Sequence, residues 1–182
     1  MNSPVPFDEV SRLKALNRYR LLETPDDPLF DEVVAMAAAM CRTPIAQAGL
    51  VSRDRLWITS AVGLPIRHVP RHTSFSAYAI CQHREILVVR DTRLDWRFAK
   101  SPLLAHDPPV RFFAAVSLVE PAGHAIGTLM VMGFSPRSLS SAERVVLQSL
   151  AQTAMALLES RQLVRRLESK APGRKRVVSA VQ

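Results

Sequence analysis

Apolar and polar positions alternate with two different periods along the chain. Val10, Leu13, Leu16 and Tyr19, with Ala15 beside them, fall on one face at helical spacing, so residues 8–22 read as a helix. Thr24-Pro25-Asp26-Asp27 then supplies an N-cap, a first-turn proline and two acids at a positive helix end. Leu29, Phe30, Val33, Val34, Met36, Ala37 and Met40 carry that second helix to about Cys41, and Pro44 stops it. The period changes next. Ile45–Val51 reads as a buried strand, residues 52–55 as a turn, and Leu56–Val62 as a second strand ended by Gly63. Thr73–Cys81 is helical in character, and Ile86–Val89 is a short apolar strand. Asp91–Asp107 is long and polar, with Trp96 and Phe98 inside it, a length that marks a functional or disordered segment, helical in part. Phe112–Val119 and Ile126–Met132 are two more strands joined by a turn at residues 120–124.

Ser140-Ser141-Ala142-Glu143 is a capping box before a long amphipathic run. Leu147, Leu150, Ala154, Leu157, Arg161 and Val164 form a seam at alternating three- and four-residue spacing. Its first half is expected to pack on the domain's own sheet. Its second half runs on beyond the domain, where a second copy would cover it, so a homodimer through the C-terminal helix is expected. Tight turns between strands imply an antiparallel sheet, and flanking helices imply an α+β class. The division expected is an extension over residues 1–10, one domain over 11–160, and a helix end with a tail over 161–182.

Composition narrows the function classes. The chain has 182 residues, is 48% hydrophobic and has a mean hydropathy of +0.06, as a globular domain does. No apolar run approaches the ~20 residues of a membrane span, and Met1–Pro6 has no signal-peptide pattern. Two cysteines forty residues apart form neither a disulfide framework nor a zinc cluster, so a cytoplasmic setting with reduced thiols is expected. The net charge is +8, but Arg161, Arg165, Arg166, Lys170, Arg174, Lys175 and Arg176 against Glu168 place +6 of it at one end. That stretch has no aromatic residue on which a base could stack, so it reads as a solvated tail, or a patch for an acidic partner, rather than a nucleic-acid arm.

Candidate chemistry gathers around the long segment. Asp91, Asp95, Arg97 and Arg111 either line a pocket mouth or pair with one another to anchor the segment. Trp57, Phe75, Tyr78, Trp96, Phe98, Phe112 and Phe113 are seven of the eleven aromatics, and they either line a ligand pocket or fill it. Ser76 and Phe113 belong to the same candidate lining. Cys41 and Cys81 read as core thiols. His68, His72, His83, His106 and His124 are scattered and form no metal motif. No Walker loop, nucleophile elbow or dinucleotide fingerprint occurs, and no catalytic residue, metal or cofactor is assigned.

An ordered series of short stretches resembles the GAF domains at the N-termini of bacterial diguanylate cyclases and sensor kinases. They are Arg18-Tyr19-Arg20-Leu21-Leu22-Glu23-Thr24-Pro25 with Phe30-Asp31, Pro44-Ile45-Ala46, and Leu50–Trp57. Val62-Gly63-Leu64, Pro70–Phe75, Ala79-Ile80, Asp91–Ala99, Arg111–Ala114 and Gly127-Thr128-Leu129 follow, so the resemblance spans about Leu13 to Leu158. It implies a six-stranded antiparallel sheet with helices on one side and a small-molecule pocket on the other. The segment between the third and fourth strands would roof the pocket. It also implies a sensory module that signals through its terminal helices to a protein partner, without catalysis. Two departures stand out. Ser74-Phe75-Ser76 replaces a common S-F-C, and Thr128-Leu129-Met130-Val131-Met132-Gly133 replaces T-L-C-V-I-D. Thiol chemistry tied to those cysteines is absent, and so is the residue set of cyclic-nucleotide-binding relatives. A tetrapyrrole on Cys81, an axial haem histidine, a methionine sulfoxide reductase using Cys41 and Cys81, and a ligand-free interaction scaffold with a basic tail stand as alternatives.

Overall fold

The computed structural model describes residues 4–19, 28–98 and 101–170. Helix α1 covers Glu9–Tyr19 and α2 covers Pro28–Met40. The expected end of the first helix at residues 20–22 and the cap at Thr24-Pro25 lie outside the described residues, as does the basic stretch Arg174–Arg176. The strands are β1 (Ile45–Val51), β2 (Arg55–Val62), β3 (His68–Pro70), β4 (Leu87–Val89), β5 (Phe112–Val119) and β6 (Ala125–Gly133). Helix α3 is Phe75–Ala79 and α4 is Ser141–Lys170. The order of pairing is β3-β2-β1-β6-β5-β4, antiparallel throughout. The strands read from the hydrophobic pattern number five. The sixth, β3, is three residues long, exposed at both ends and closed by a proline, so it carries no apolar signal.

Each face of the sheet has its own core. On β6, Leu129 and Val131 point to one face while Met130 and Met132 point to the other, as pleating requires. The first face packs against α1, α2 and α4 through Leu16, Phe30, Val34, Leu147, Leu150 and Ala154. The second face is covered by α3 and by residues 91–98 and 101–110, which carry three short 3-10 turns. Central strands β1 and β6 are buried along their whole length.

The capping box forms as the sequence specifies. Ser140 N–H donates to Glu143 Oε2 at 2.7 Å, and Glu143 N–H donates back to Ser140 Oγ at 3.2 Å. The helix that follows is 30 residues long, about 45 Å. Its first half packs on the sheet. Beyond Leu158 it receives the C-terminal end of α1: Gln162 Nε2 donates to the Arg18 carbonyl and Arg165 Nη1 to the Tyr19 carbonyl, at 3.2 and 3.4 Å. These bonds tie the last two residues of α1 to α4. Burial pushes the Tyr19 phenol up to about 12.

The two central strands approach too closely for a side chain at Gly127. A Cβ there would lie 2.2 Å from the Gly49 carbonyl oxygen. Gly127→Ala must therefore push β6 away from β1. It is expected to destabilise by about 2 kcal/mol and lower the melting midpoint by about 5 °C in differential scanning calorimetry.

Candidate functional site

Residues from α3, β5 and the segment after β4 converge on the second face. Ser74 caps α3 by accepting from the Ala77 N–H at 3.2 Å, and this sets Phe75 and Ser76 against the sheet. Phe75 stacks on Phe113 of β5 with ring centroids 4.4 Å apart. Phe98, from the 91–110 segment, stacks on the other face of that pair, 3.9 Å from Phe75. Tyr78 meets Phe98 edge-on at 5.1 Å. All three phenylalanines are buried, and each such pair adds about 0.5–1.5 kcal/mol beyond its area. Beside the stack a cavity of about 20 Å³ remains, bordered by Gln47, Ile58, Ser76, Phe113 and Met130. It has room for about one water.

The buried polar groups around the cavity are satisfied internally. Ser76 Oγ and Thr128 Oγ1 are 2.8 Å apart, and Gln47 Nε2 donates to the Leu64 carbonyl at 2.9 Å. Ser117 Oγ donates to the Ala79 carbonyl at 3.1 Å, tying β5 to α3.

The charged candidates pair with one another. Arg111 holds Asp91 in a two-pronged contact, Nε to Oδ1 at 2.8 Å and Nη2 to Oδ2 at 2.5 Å. Hydrogen bonding from Arg111 brings the Asp91 carboxyl down from 3.8 to about 2. Asp91 Oδ1 also accepts from the Arg93 N–H and so caps the first 3-10 turn. Arg97 grips Asp95 at 2.9 and 2.6 Å, which lowers the Asp95 pKa, and its guanidinium lies 5.0 Å from the Phe98 ring. These pairs fasten the segment that carries the Phe98 plug.

Phe75, Ser76, Tyr78, Phe98 and Phe113 thus come together at the stack. Asp91, Asp95, Arg97 and Arg111 frame the covering segment. Trp96 does not join them; it is 70% exposed. Trp57 also lies apart. It alternates with the cavity-facing Leu56 and Ile58, stacks on His68 at 5.6 Å, and has Arg55 above it at 5.1 Å. Phe112 points into the helix-side core. Cys41 sits in that same core, whereas Cys81 packs at the other face, so the sheet separates the two thiols. Burial raises both thiol pKa values, and Cys81 Sγ donates to the Ala77 carbonyl. No cluster of three or more metal-ligating side chains occurs among the described residues. Nor is any helix among them long and apolar enough to cross a membrane.

Two features escaped sequence reasoning. Gln47 was the lone long polar residue in an apolar strand, a signal that could have been read. The second feature is a buried cluster linking the two faces. Glu9 of α1 accepts from Arg12 Nε and Nη2 at 2.8 Å each and from Arg71 Nη1 at 2.5 Å. Arg12 also donates to the Val51 carbonyl at 2.7 Å, and Arg71 to the Ser52 carbonyl at 3.2 Å. The Arg71 carbonyl in turn accepts from the Ser74 N–H, at the cap of α3. Burial would raise the Glu9 pKa, but the bonds from both arginines outweigh it and hold it low. Nothing in the local sequence pairs residues sixty positions apart.

Comparisons with known proteins agree with this architecture. The GAF domain family model matches residues 25–158. A cyclic di-GMP phosphodiesterase of Pseudomonas aeruginosa is 35% identical over 158 residues, and the chain spans only 27% of that relative's length while 86% of the chain is covered. Among solved structures, the GAF domain of a phosphoenolpyruvate-protein phosphotransferase from Coxiella burnetii superposes with a TM-score of 0.66 at 12% identity, covering 86% of this chain and 96% of that one. A free methionine-R-sulfoxide reductase from Neisseria meningitidis, in complex with its substrate, superposes at 0.61 with 16% identity, covering 90% and 98%. At these identities the structural matches speak to the fold alone.

The Asp91–Arg111 pair makes a prediction with a definite sign. A carboxyl lowered in the folded state stabilises above its ordinary pKa, and that contribution fades as the pH falls from about 4 towards 2. In a carboxyl-carbon NMR titration Asp91 is expected to titrate near 2, and Arg111→Gln is expected to return it towards 3.8. An unchanged titration in the variant would remove the tether.

Proposed function

The chain belongs to the GAF domain family, and from that premise we propose that it is a non-catalytic sensory module. It binds a small molecule at the aromatic face and signals through α1 and α4. The observation that carries this reading is the Phe98 plug. A ring supplied by the 91–110 segment occupies the place between Phe75 and Tyr78 that a flat, largely apolar ligand would take. Opening the face displaces that segment. A ligand shifts this equilibrium only by its preference for the opened state. The route outward runs from Phe75 through the α3 cap and Arg71 to Glu9 of α1, and from α1 to α4.

Dimerisation through α4 supplies the output. Leu147, Leu150 and Ala154 of the seam expected from sequence are spent on the domain's own core. A neighbouring row remains: Ser149, Thr153, Ala156, Ser160, Leu163 and Leu167 are exposed, uncharged, and spaced 4-3-4-3-4. The spacing is that of a heptad over about 27 Å, and its large apolar side chains, Leu163 and Leu167, lie at the C-terminal end, where the same helix of a second copy would pack. Catalysis by a thiol pair is disfavoured by the sheet standing between Cys41 and Cys81 and by their raised pKa values.

A second reading has its own support. The cavity of about 20 Å³ fits a domain whose face is permanently filled by its own rings and which serves as a dimeric scaffold. Native mass spectrometry of the full chain, before and after incubation with a metabolite extract, separates the two. The sensory reading predicts a dimer that retains a small-molecule mass, and more of it in Phe98→Ala, where the plug is gone. A dimer that stays bare in both proteins would favour the scaffold. Leu163→Glu with Leu167→Glu is expected to convert the dimer to monomer, and a persistent dimer would refute the α4 seam.

A further inference from the structure

Gln47 is the one long polar side chain on the aromatic side of β1. Alternation places it there with Ile45 and Val51, both part of the apolar core of that face, and pairing sets it opposite Met130 of β6. It is 4% exposed. Its Nε2 donates to the Leu64 carbonyl at 2.9 Å, which fixes the orientation of the amide. That bond uses one end of the side chain only. Among the described residues nothing donates to the other end, the Oε1 carbonyl, and Gln47 borders the cavity beside the stack. A methionine would fill the same position without burying an amide.

The surroundings define what Oε1 can take. The Ser76 and Thr128 hydroxyls are bonded to each other, and Ser76 Oγ also approaches Met130 Sδ at 3.7 Å. None of the described lining residues is ionisable, so a charged group in this space would be desolvated without a counter-ion. A ring that fills the space also shuts Oε1 off from water, and an acceptor buried without a donor is costly. The group that meets Oε1 must therefore be neutral and carry a donor. Phe75 borders both the cavity and the Phe98 ring. Leu103, from the same covering segment as Phe98, borders the cavity too. Lifting that segment withdraws both side chains and joins the two spaces along Phe75. We propose that Gln47 is the specificity-determining residue of the aromatic face and selects an uncharged planar heterocycle whose ring N–H donates to Oε1. This rests on the reading that the face opens to a ligand, and adds the chemistry the ligand must carry. A ring of the same shape without the N–H is rejected, because it leaves the amide oxygen unpaired.

Two rings of one shape test it. Indole carries the N–H, and benzofuran has an oxygen in its place. Both are titrated into Phe98→Ala, where the plug is gone, and binding is followed by saturation-transfer NMR of the ring protons. Indole is expected to bind about tenfold tighter. Benzofuran is the more apolar ring, so hydrophobic burial alone would favour it. In Phe98→Ala with Gln47→Met, benzofuran is expected to bind at least as well as indole, and its binding shows that this variant is folded. Leu103→Ala, which keeps the aromatic stack, carries the same comparison should Phe98→Ala not fold. Equal binding of the two rings, or an indole preference that survives Gln47→Met, overturns the role of Gln47 and leaves the opening face standing. Binding of neither ring to Phe98→Ala or Leu103→Ala overturns both.

Discussion

Two buried guanidiniums share one carboxylate where the faces of the sheet meet. Arg12 is 1% exposed and Arg71 is 5% exposed, and both pair with Glu9, whose single charge leaves the cluster at +1. Burying such charges costs several kcal/mol per ion unless the geometry repays it. Here the remaining N–H groups are put to use on backbone. Arg12 reaches the last residue of β1 and, at 3.5 Å, the first residue of β6, so it pins the ends of the two central strands to α1. Arg71 carries the same carboxylate to the turn before α3. Its Nε is buried without a hydrogen-bond partner among the described residues, the cost of placing that guanidinium between two elements. α1 carries both Glu9 and Arg12, so moving it from its seat would strip the buried Arg71, next to the α3 cap, of its carboxylate.

The two faces of the sheet are built for different ends. The helix face is covered by long elements that bury aliphatic side chains along full turns. The other face is covered by a five-residue helix, short 3-10 turns and ion-paired loop residues. Its backbone hydrogen bonds are short-range turn contacts, such as Leu94 N–H to the Asp91 carbonyl and Phe98 N–H to the Asp95 carbonyl, rather than a helical or sheet ladder. It depends on the Phe75–Phe98–Phe113 stack and on the Asp91–Arg111 and Asp95–Arg97 pairs. Structural elements that open are drawn from the less stable parts of a fold. The rigid face carries α1 and α4, the helices proposed for output, and the lightly fastened face carries the candidate ligand site.

What could be read in the sequence follows the range of the interactions. Helical spacing placed α2 and α4, and the Ser140–Glu143 box located the start of α4 to the residue, because both signals are local. Strands β1, β2, β5 and β6 were legible from continuous apolar runs. Strand β3 was not, since three half-exposed residues paired only to β2 leave no pattern. The aromatics were identified as a group, but their side of the sheet was not: Trp57 and Phe112 share the composition of the stack yet point away from it. Alternation along a strand decides that, and it needs the register, which includes a bulge opposite Ala48 and Gly49. The Glu9–Arg12–Arg71 cluster depends wholly on tertiary placement. Likewise the exposed row on α4 emerges only once the sheet has claimed the neighbouring seam.

Glu9 and Arg71 form the joint between the aromatic face and α1. Hydrogen–deuterium exchange on the full chain, comparing the native protein with Phe98→Ala, tests it most directly. Faster exchange is expected in residues 91–110, at the start of α3 and in the first turns of α1, with α2 unchanged. Faster exchange confined to residues 91–110, or spread evenly over all helices, would contradict it.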